Sequence, residues 1–265
     1  MITTLRHTST AKLGAIYNVV SKSVSFVLWA PSAFSVKVLL YADPEASVFD
    51  YELDLDFNRQ DGIWYGIFSD VDCEGFGYEY VVKNDRGTYT CLDPYAKSMA
   101  AFKNDETCGR GIIVDMDAPE SFPLGNAGLE AVSRPKYIEL QNREDAIIYE
   151  ISVRDFTISP DSHVNARPGT YDAFQEKIEY LKQLGITHIQ LMPVLNFYNN
   201  NETLSEYENS GTVRSNNYNW GYDPHNYFTP EGWYASNPSD PYARIRELRS
   251  LIEACHSAGL GVILD

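Results

Sequence analysis

The sequence predicts a multidomain fold of the β plus α/β class, in which an antiparallel β-sandwich precedes a parallel α/β domain. Short β-rich runs separated by turn residues fill the first half of the chain. Proline and glycine then punctuate residues 117–142, and strand-like and helix-like segments alternate afterwards. We therefore expect a sandwich at residues 1–116, a linker at 117–144 and an α/β domain at 145–265.

The first half contains five candidate strands, and nothing between Leu13 and Asp115 has helical periodicity. A Pro/Ser turn separates the first two runs, and Asp85-Arg-Gly87 is a turn between the last two. Short strands at such intervals are typical of an antiparallel sandwich. The candidate strands are residues 24–29, 36–41, 62–68, 78–83 and 88–91.

The second half predicts strands at 147–153, 187–194 and 261–265, with one helix in each interval. The first helix covers 170–184, with Thr170 as a plausible N-cap and Gly185 as its end. The second ends at Gly259 and follows a polar, aromatic loop at 196–241. The apolar faces of the two helices are Phe174, Ile178, Leu181 and Leu184 in the first and Ile245, Leu248, Ile252 and Cys255 in the second.

This order fits both an open doubly wound sheet and an eight-stranded barrel, and the residues do not decide between them. No GxGxxG or GxxxxGK[ST] pattern follows the first strand, so nucleotide binding has no support. The last predicted strand ends at residue 265, which leaves one edge of the sheet open. We therefore expect the sequence to be part of a longer chain.

Charge and hydropathy limit the partners. The formal net charge is −16, from 21 Lys and Arg against 37 Asp and Glu. Such a surface repels phosphate backbones and anionic lipid, so we expect no nucleic acid and no membrane partner, whereas a neutral sugar is compatible with it. The N-terminus has no signal-peptide core, and no run of 18 apolar residues occurs. A cytoplasmic location is expected.

The four cysteines form no CxxC pair, and their spacing fits neither a zinc site nor a dense disulfide framework. They are Cys73, Cys91, Cys108 and Cys255, and we expect free thiols. No EF-hand-type loop rich in Asp and Asn is present. We therefore predict no metal and no cofactor in this chain.

The most specific stretch is Asn-Tyr-Asn-Trp-Gly-Tyr-Asp-Pro-His-Asn-Tyr at residues 217–227, in the loop after the second strand of the α/β domain. Loops at the carboxyl ends of parallel strands are where ligands bind in both candidate architectures. The rings of Trp220 and Tyr222 suit stacking on a pyranose, and Asn219 and Asp223 suit hydrogen bonds to sugar hydroxyls. The same aromatics also fit a loop that only closes the top of the sheet.

Residues 218–224, Tyr-Asn-Trp-Gly-Tyr-Asp-Pro, resemble the signature of type I pullulanases within the α-amylase superfamily, glycoside hydrolase family 13. Residues 146–157, 188–194 and 259–265 resemble the first three barrel strands of that family. Upstream, the stretches at 26–33, 62–65 and 93–97 are similar to family 48 carbohydrate-binding modules. The resemblance covers nearly the whole chain, in order.

The resemblance implies an N-terminal immunoglobulin-like β-sandwich followed by the first three strands and two helices of a truncated (β/α)8 TIM barrel. The implied activity is hydrolysis of α-1,6 branch linkages in pullulan, glycogen or branched maltodextrin, with retention of configuration. In this family the catalytic carboxylates come from the fourth and fifth strands and after the seventh. Neither the nucleophile nor the acid/base is therefore expected here, and the 265 residues alone should be inactive.

The resemblance also assigns residues. Tyr222 is implied as the aromatic platform under the sugar at the cleaved linkage, with Asp223 a second contact and Tyr218, Asn219 and Trp220 as further members of the signature. Asp265 matches the opening residue of the family's first conserved region. Glu150 and Asp155 are interpreted as structural in the family. His163 and His225 are expected to be surface or hydrogen-bonded histidines rather than catalytic ones.

Two alternatives remain for the function of the whole protein. One is a non-enzymatic glucan-binding or structural fragment. The other is a relative of isoamylase, branching enzyme or a trehalose-releasing hydrolase, which carry Trp-Gly-Tyr in different surroundings. Within the β module, Trp29 and Trp64 fit either a glucan platform or the core, and we predict the core for both.

Overall fold

The computed structural model describes residues 11–104, 108–123, 140–204 and 217–265. These residues form two compact units. The first takes residues up to 100 and the stretch that ends at 116, and the second takes residues from 117 onward together with residues 101–104. Part of the predicted linker, residues 124–139, lies outside the described residues.

The first unit is an antiparallel sandwich of two sheets. One sheet has the order β1-β2-β6-β5, and the other has the order β4-β3-β7-β8 with β9 also paired to β7. All of these pairings are antiparallel. The strands are β1 (Gly14–Asn18), β2 (Ser23–Trp29), β3 (Ser35–Tyr41), β4 (Tyr51–Asp54), β5 (Asp56–Asn58), β6 (Ile63–Phe68), β7 (Gly77–Asn84), β8 (Gly87–Cys91) and β9 (Gly111–Ile112).

The five predicted strands of this unit are present as β2, β3, β6, β7 and β8. Four further strands were missed. β1, β4 and β5 lie at sheet edges, where one face and one backbone edge stay exposed and the sequence needs little apolar alternation. β9 has only two residues, too few for a period-2 pattern.

Alternation in β2 and β3 builds the core of the sandwich. Val24, Phe26 and Leu28 point inward from β2, and Val36, Val38 and Leu40 point inward from β3. Trp64 joins them, is 6% exposed, and its Nε1 donates to the carbonyl oxygen of Ala30 at 3.0 Å. The prediction that Trp29 is a core residue is wrong, because it follows Leu28 on the opposite face of the strand and is 41% exposed.

The second unit is built on a parallel three-stranded sheet in the order β10-β11-β14. Its strands are β10 (Ile148–Ile151), β11 (His188–Leu191) and β14 (Gly261–Leu264). Helices α1 (Tyr171–Gln175) and α2 (Ile178–Leu184) lie between the first two strands in sequence, and α3 (Ala243–Ser257) precedes the third. The predicted strand–helix–strand–helix–strand order is thus present, in shorter elements than expected.

The predicted helix at 170–184 is interrupted after Gln175. The carboxylate of Glu176 accepts hydrogen bonds from the backbone N–H groups of Asn165 and Ala166, and Lys177 Nζ donates to the carbonyl oxygen of Ser162. These contacts hold the two residues at which the helix is interrupted, Glu176 and Lys177, against the loop that precedes α1. The predicted ends are confirmed, since Thr170 Oγ1 accepts from Ala173 N at 3.2 Å and Gly185 adopts φ +80°.

The loop predicted at 196–241 contains structure that the sequence did not reveal. Antiparallel strands β12 (Leu195–Phe197) and β13 (Pro224–Pro230) form a hairpin-like pair, with register shifts on either side of Asn196. Two register shifts and a proline at each end of β13 conceal any alternation. The 3₁₀ turn Pro119–Ser121 likewise falls within the predicted linker, and the turn Arg143–Asp145 spans its end.

One core holds the second unit together. Ile151, Ile189 and Leu191 of the sheet pack with Phe174 and Leu181 of the first two helices. The prediction that Leu184 belongs to this apolar face is wrong, because it lies at the end of α2 and is 52% exposed. On α3, three of the four residues predicted for the apolar face are buried, and the fourth, Ile252, is partly buried and packs against the core. The buried members on α3 are Ile245, Leu248 and Cys255.

Among the described helices, none combines the length and the apolar character that a bilayer crossing needs.

Leu181→Ala is expected to lower the free energy of unfolding of the second unit by about 2–5 kcal/mol, because a fully buried leucine leaves a cavity. Leu184→Ala on the same helix is the matched control: Leu184 is 52% exposed, and its loss should change stability by less than about 0.5 kcal/mol. Urea unfolding followed by circular dichroism measures both. Equal effects of the two substitutions would contradict this packing.

Candidate functional site

The segment at residues 218–224, here called the signature segment, lies immediately before and at the start of β13. It belongs to the connection between β11 and α3, which leaves the sheet at the carboxyl end of β11. The other two strands end at the same edge. Met192 N, just after β11, donates to the carbonyl oxygen of Ile151 at the end of β10, and Asp265 N, just after β14, donates to that of Leu191 at the end of β11. The segment therefore sits where parallel sheets place their ligands.

The hydroxyl of Tyr222 is anchored to the end of the sheet. It donates to Asp265 Oδ2 at 2.6 Å, and this hydrogen bond, with smaller contributions from burial and from Glu150, raises the pKa of Tyr222 to about 12. The side chain is nevertheless 56% exposed. Tyr222 is thus a fixed phenol whose ring stays open to solvent.

Tyr218 connects Trp220 to the loop after β10. Its hydroxyl donates to Asp155 Oδ2 at 2.6 Å and accepts from Trp220 Nε1 at 2.7 Å. Burial and the contact with Asp155 raise the pKa of Tyr218, so the hydroxyl keeps the proton that it donates. Trp220 is 59% exposed, and its indole ring is therefore presented to solvent with its only polar atom already hydrogen-bonded.

Arg154 supports the hydrogen-bonded series Trp220–Tyr218–Asp155. It is buried, and its Nη1 lies 3.2 Å from Asp155 Oδ1. Its guanidinium carbon lies 5.5 Å from the centroid of the Tyr218 ring and 4.9 Å from that of Trp233. Asp155 is thus held by a cation on one side and by a phenol on the other.

Asn219 and Asp223 close the segment on itself. Asn219 Nδ2 donates to the carbonyl oxygen of Tyr198 at 2.7 Å and to Asp223 Oδ1 at 2.9 Å, while its Oδ1 accepts from Gly221 N at 2.9 Å. Asp223 Oδ2 accepts from Asn199 Nδ2. Both side chains therefore shape the backbone of the segment, a role that the sequence did not predict for them.

Gly221 is required by geometry. Its φ is +91°, in the region that favours glycine, and an added Cβ would lie 2.8 Å from Phe197 Cδ1 and 2.9 Å from Pro193 Cβ. The signature segment consequently lies directly on β12 and on the residues just after β11.

A buried polar cluster beneath the hairpin was missed by sequence reasoning. Its members carry no motif spacing, and Arg244 falls on a helix whose polar residues would ordinarily face solvent. Burial, together with the nearby carboxylate of Glu202, raises the pKa of Glu231. The buried members are Asn196, Asn200, Glu202, Glu231 and Arg244.

His225 is a packed residue. Its ring stacks on Tyr198 with centroids 3.9 Å apart and lies 4.9 Å from the ring of Phe102. Burial lowers the pKa of His225 to about 4. His163 is exposed at the end of a 3₁₀ turn with φ +52°. The four cysteines are free thiols, and no group of three or more His, Cys, Asp or Glu side chains in the described ranges is arranged to hold a metal ion.

The first unit matches a known module. Residues 12–96 match the family model of carbohydrate-binding module 48, also described as the isoamylase N-terminal domain. This match covers most of the described strands of the sandwich.

The whole chain has relatives in sequence and in structure. It is 38% identical to pullulanase A of Streptococcus pneumoniae serotype 4, over 96% of this chain and 20% of the relative. The resemblance to the pullulanases is confirmed. The chain thus spans about a fifth of the length of that pullulanase.

Two solved structures share the fold of the chain. The catalytic module of the pneumococcal glycogen-degrading virulence factor SpuA, in complex with an inhibitor, superposes with a TM-score of 0.86 at 37% identity, over 98% of this chain and 38% of that one. The pullulanase SAP of Group B Streptococcus, in complex with maltotetraose, gives 0.86 at 36% identity, over 98% and 34%. The two units of this chain therefore have counterparts in pullulanases.

Tyr218→Phe is expected to release Trp220, because the lost hydroxyl is both the acceptor for the indole N–H and the donor to Asp155. The indole proton resonance of Trp220 should move upfield in the NMR spectrum, with Trp220→Phe assigning the signal. Tyr227→Phe, at an exposed tyrosine of β13, is the control and should leave that resonance in place. An unchanged resonance in Tyr218→Phe would refute the contact.

The lowered pKa of His225 predicts acid sensitivity. Because its pKa falls from 6.5 to about 4 on folding, the unfolded chain binds a proton over this range that the folded protein does not. Stability should therefore fall as the pH drops from 6.5 to 4. In His225→Phe, which keeps an aromatic ring beside Tyr198, this contribution should vanish.

Urea unfolding at several pH values measures the difference between wild type and His225→Phe. The free energy of unfolding of His225→Phe should rise relative to that of wild type as the pH is lowered. Phe228→Leu, at a half-exposed position of β13 without a titratable group, should show a difference from wild type that does not vary with pH. A parallel pH response of wild type and His225→Phe would exclude a titrating role for His225.

Proposed function

We propose that the second unit is the first part of a (β/α)8 barrel and that the first unit is an immunoglobulin-like module in front of it, with the predicted division at residues 116 and 145. The apolar edges of the parallel sheet support this proposal. Ile148 of β10 is 52% exposed and Leu264 of β14 is 49% exposed, as is Ile147 beside β10 at 56%. Parallel strands are normally covered on both faces, and further barrel strands would cover these residues.

The proposed activity of the whole protein is hydrolysis of α-1,6-glucosidic linkages in pullulan, glycogen or starch-type glucans. Its support is the similarity to proteins named pullulanase and to one described as glycogen-degrading. A retaining mechanism needs two carboxyl groups about 5–5.5 Å apart, and we assign neither to this chain. We expect the 265 residues alone to be inactive. The cytoplasmic location and the absence of nucleic-acid and membrane partners stay predictions.

The role proposed for this chain is to bind α-glucan. The observation that carries it is the state of two aromatic rings: Trp220 and Tyr222 are more than half exposed, yet the polar atom of each is held by a hydrogen bond. Rings fixed in this way lose little freedom when a sugar stacks on them. Tyr218, Asn219 and Asp223 would act with them, by supporting the rings and shaping the segment.

Titration of the full chain with maltotetraose tests this role. Tyr222→Ala is expected to weaken binding about tenfold, which corresponds to ~1.4 kcal/mol, because the stacking surface is lost. Tyr222→Phe keeps the ring and loses only the bond to Asp265, so its affinity should fall by less. Isothermal titration calorimetry measures the affinities.

Tyr180→Ala is the matched control, since Tyr180 is 53% exposed on α2, outside the signature segment. It should bind maltotetraose as wild type does. Equal binding by wild type and Tyr222→Ala would contradict the proposed site. Release of maltotriose from pullulan by the chain alone would contradict its proposed inactivity, and formation of new branch points by the full-length protein would favour a branching-enzyme relative.

A further inference from the structure

Two buried glutamates hold the ends of the connection that carries the signature segment. Glu202 and Glu231 are both fully buried, and they lie near either end of the stretch between β12 and the residues after β13. Neither belongs to the signature segment, and neither faces solvent. Their partners show what they do.

Glu202 receives hydrogen bonds from four parts of the second unit. Its Oε2 accepts from Phe102 N at 3.0 Å, and its Oε1 accepts from Gly232 N at 3.1 Å and from Asn196 Nδ2 at 2.9 Å. Arg244 on α3 completes the set with a two-pronged contact, Nη2 to Oε2 at 2.7 Å and Nη1 to Oε1 at 3.1 Å. One carboxylate thereby joins residues more than a hundred positions apart in sequence.

Arg244 extends the same network. Its guanidinium also donates to the carbonyl oxygens of Pro230 at 3.2 Å and Pro238 at 3.3 Å. Pro230 is the last residue of β13, so the arginine fixes the end of that strand directly. The planar fork of arginine makes several such bonds in fixed directions, which a lysine would not reproduce.

Glu231 holds β12 and the residues that follow β13. Its carboxylate accepts from Phe197 N at 3.1 Å on β12 and from Trp233 N at 2.8 Å after β13, and also from the side-chain amides of Asn196 and Asn200 at 3.2 Å each. Both ends of the hairpin are thus bonded to carboxylates rather than only to each other. This compensates for the register shifts that weaken the β12–β13 ladder.

A buried ion pair is a costly way to hold a fold. Well-packed apolar residues of similar volume are often as stabilising, because they avoid the desolvation of two charges. What an ion pair with directed hydrogen bonds adds is a single defined geometry. Here that geometry passes from the pair through Asn196 and β12 to Phe197, on which Gly221 of the signature segment rests.

We propose that the buried Glu202–Arg244 pair is a positioning element for α-glucan binding, which fixes the hairpin and through it the exposed rings of Trp220 and Tyr222. The sugar readout of this proposal rests on the proposed function. The geometric part does not, since the hairpin can be probed without ligand.

The test replaces the pair by apolar residues in the full chain, as Glu202→Met with Arg244→Met. Removing both charges leaves neither half of the pair alone, and Glu231, whose pKa is already raised by burial, can take up a proton once Arg244 is gone, so a cooperative thermal transition is expected. The exchange of the Gly221 amide, measured by NMR, should become at least about tenfold faster, and the affinity for maltotetraose should fall at least about tenfold. A merely structural pair would change the melting temperature and leave both of these at wild-type values in the folded protein.

The matched control is Asp240→Asn with Arg246→Met. It removes an ion pair of 3.1 Å between Arg246 of α3 and Asp240, which lies just before that helix, and it should leave Gly221 exchange and maltotetraose affinity unchanged. Arg244→Lys is a milder second variant that keeps the buried charge and loses the fork; it should show the same changes at smaller size, and it replaces the double variant if that one does not fold.

Wild-type exchange at Gly221 in a folded pair variant overturns the proposal. If wild type itself binds no maltotetraose, the proposed function fails, and exchange at Gly221 alone decides whether the pair positions the segment. If exchange accelerates but affinity stays constant, the pair orders the hairpin without serving sugar binding, and the proposal is also overturned.

Discussion

Parallel pairing of β11 with β10 and β14 is the constraint on which the rest of the second unit depends. Parallel strands cannot be joined by a tight turn, so each must be followed by a long crossover before the next begins. All three strands then end at one edge. Asp155, Tyr222 and Asp265 come from distant parts of the sequence. At this edge Tyr222 is hydrogen-bonded to Asp265, and Tyr218 of the same segment is hydrogen-bonded to Asp155.

Much of this architecture was predictable, because the signals were local and periodic. Val24, Phe26 and Leu28 alternate along a strand, and Ile245, Leu248 and Cys255 recur at helical spacing. Trp29 shows the limit of that reasoning, since one position along a strand reverses the face. The break after Gln175 also escaped prediction, because it depends on Glu176 reaching residues ten positions upstream.

The candidate site, too, was predictable only in part. Residues 218–224 were recognisable as a unit, and the structure shows each side chain of the predicted set engaged at the sheet edge or within the segment. Their partners were not predictable. Nothing in the sequence indicates that the Tyr218 hydroxyl serves Trp220 and Asp155 together, or that Glu202 meets Arg244, because both depend on contacts set by the tertiary fold.

The unequal burial of the four tryptophans makes the chain its own optical reporter. Trp64 and Trp233 are nearly fully buried, whereas Trp220 is 59% exposed and Trp29 is 41% exposed. Indoles in contact with water emit at longer wavelength than buried ones, so detection on the long-wavelength side of the emission band favours the exposed pair. Trp29 lies in the other unit, and replacing it by phenylalanine would leave Trp220 as the main source of long-wavelength emission.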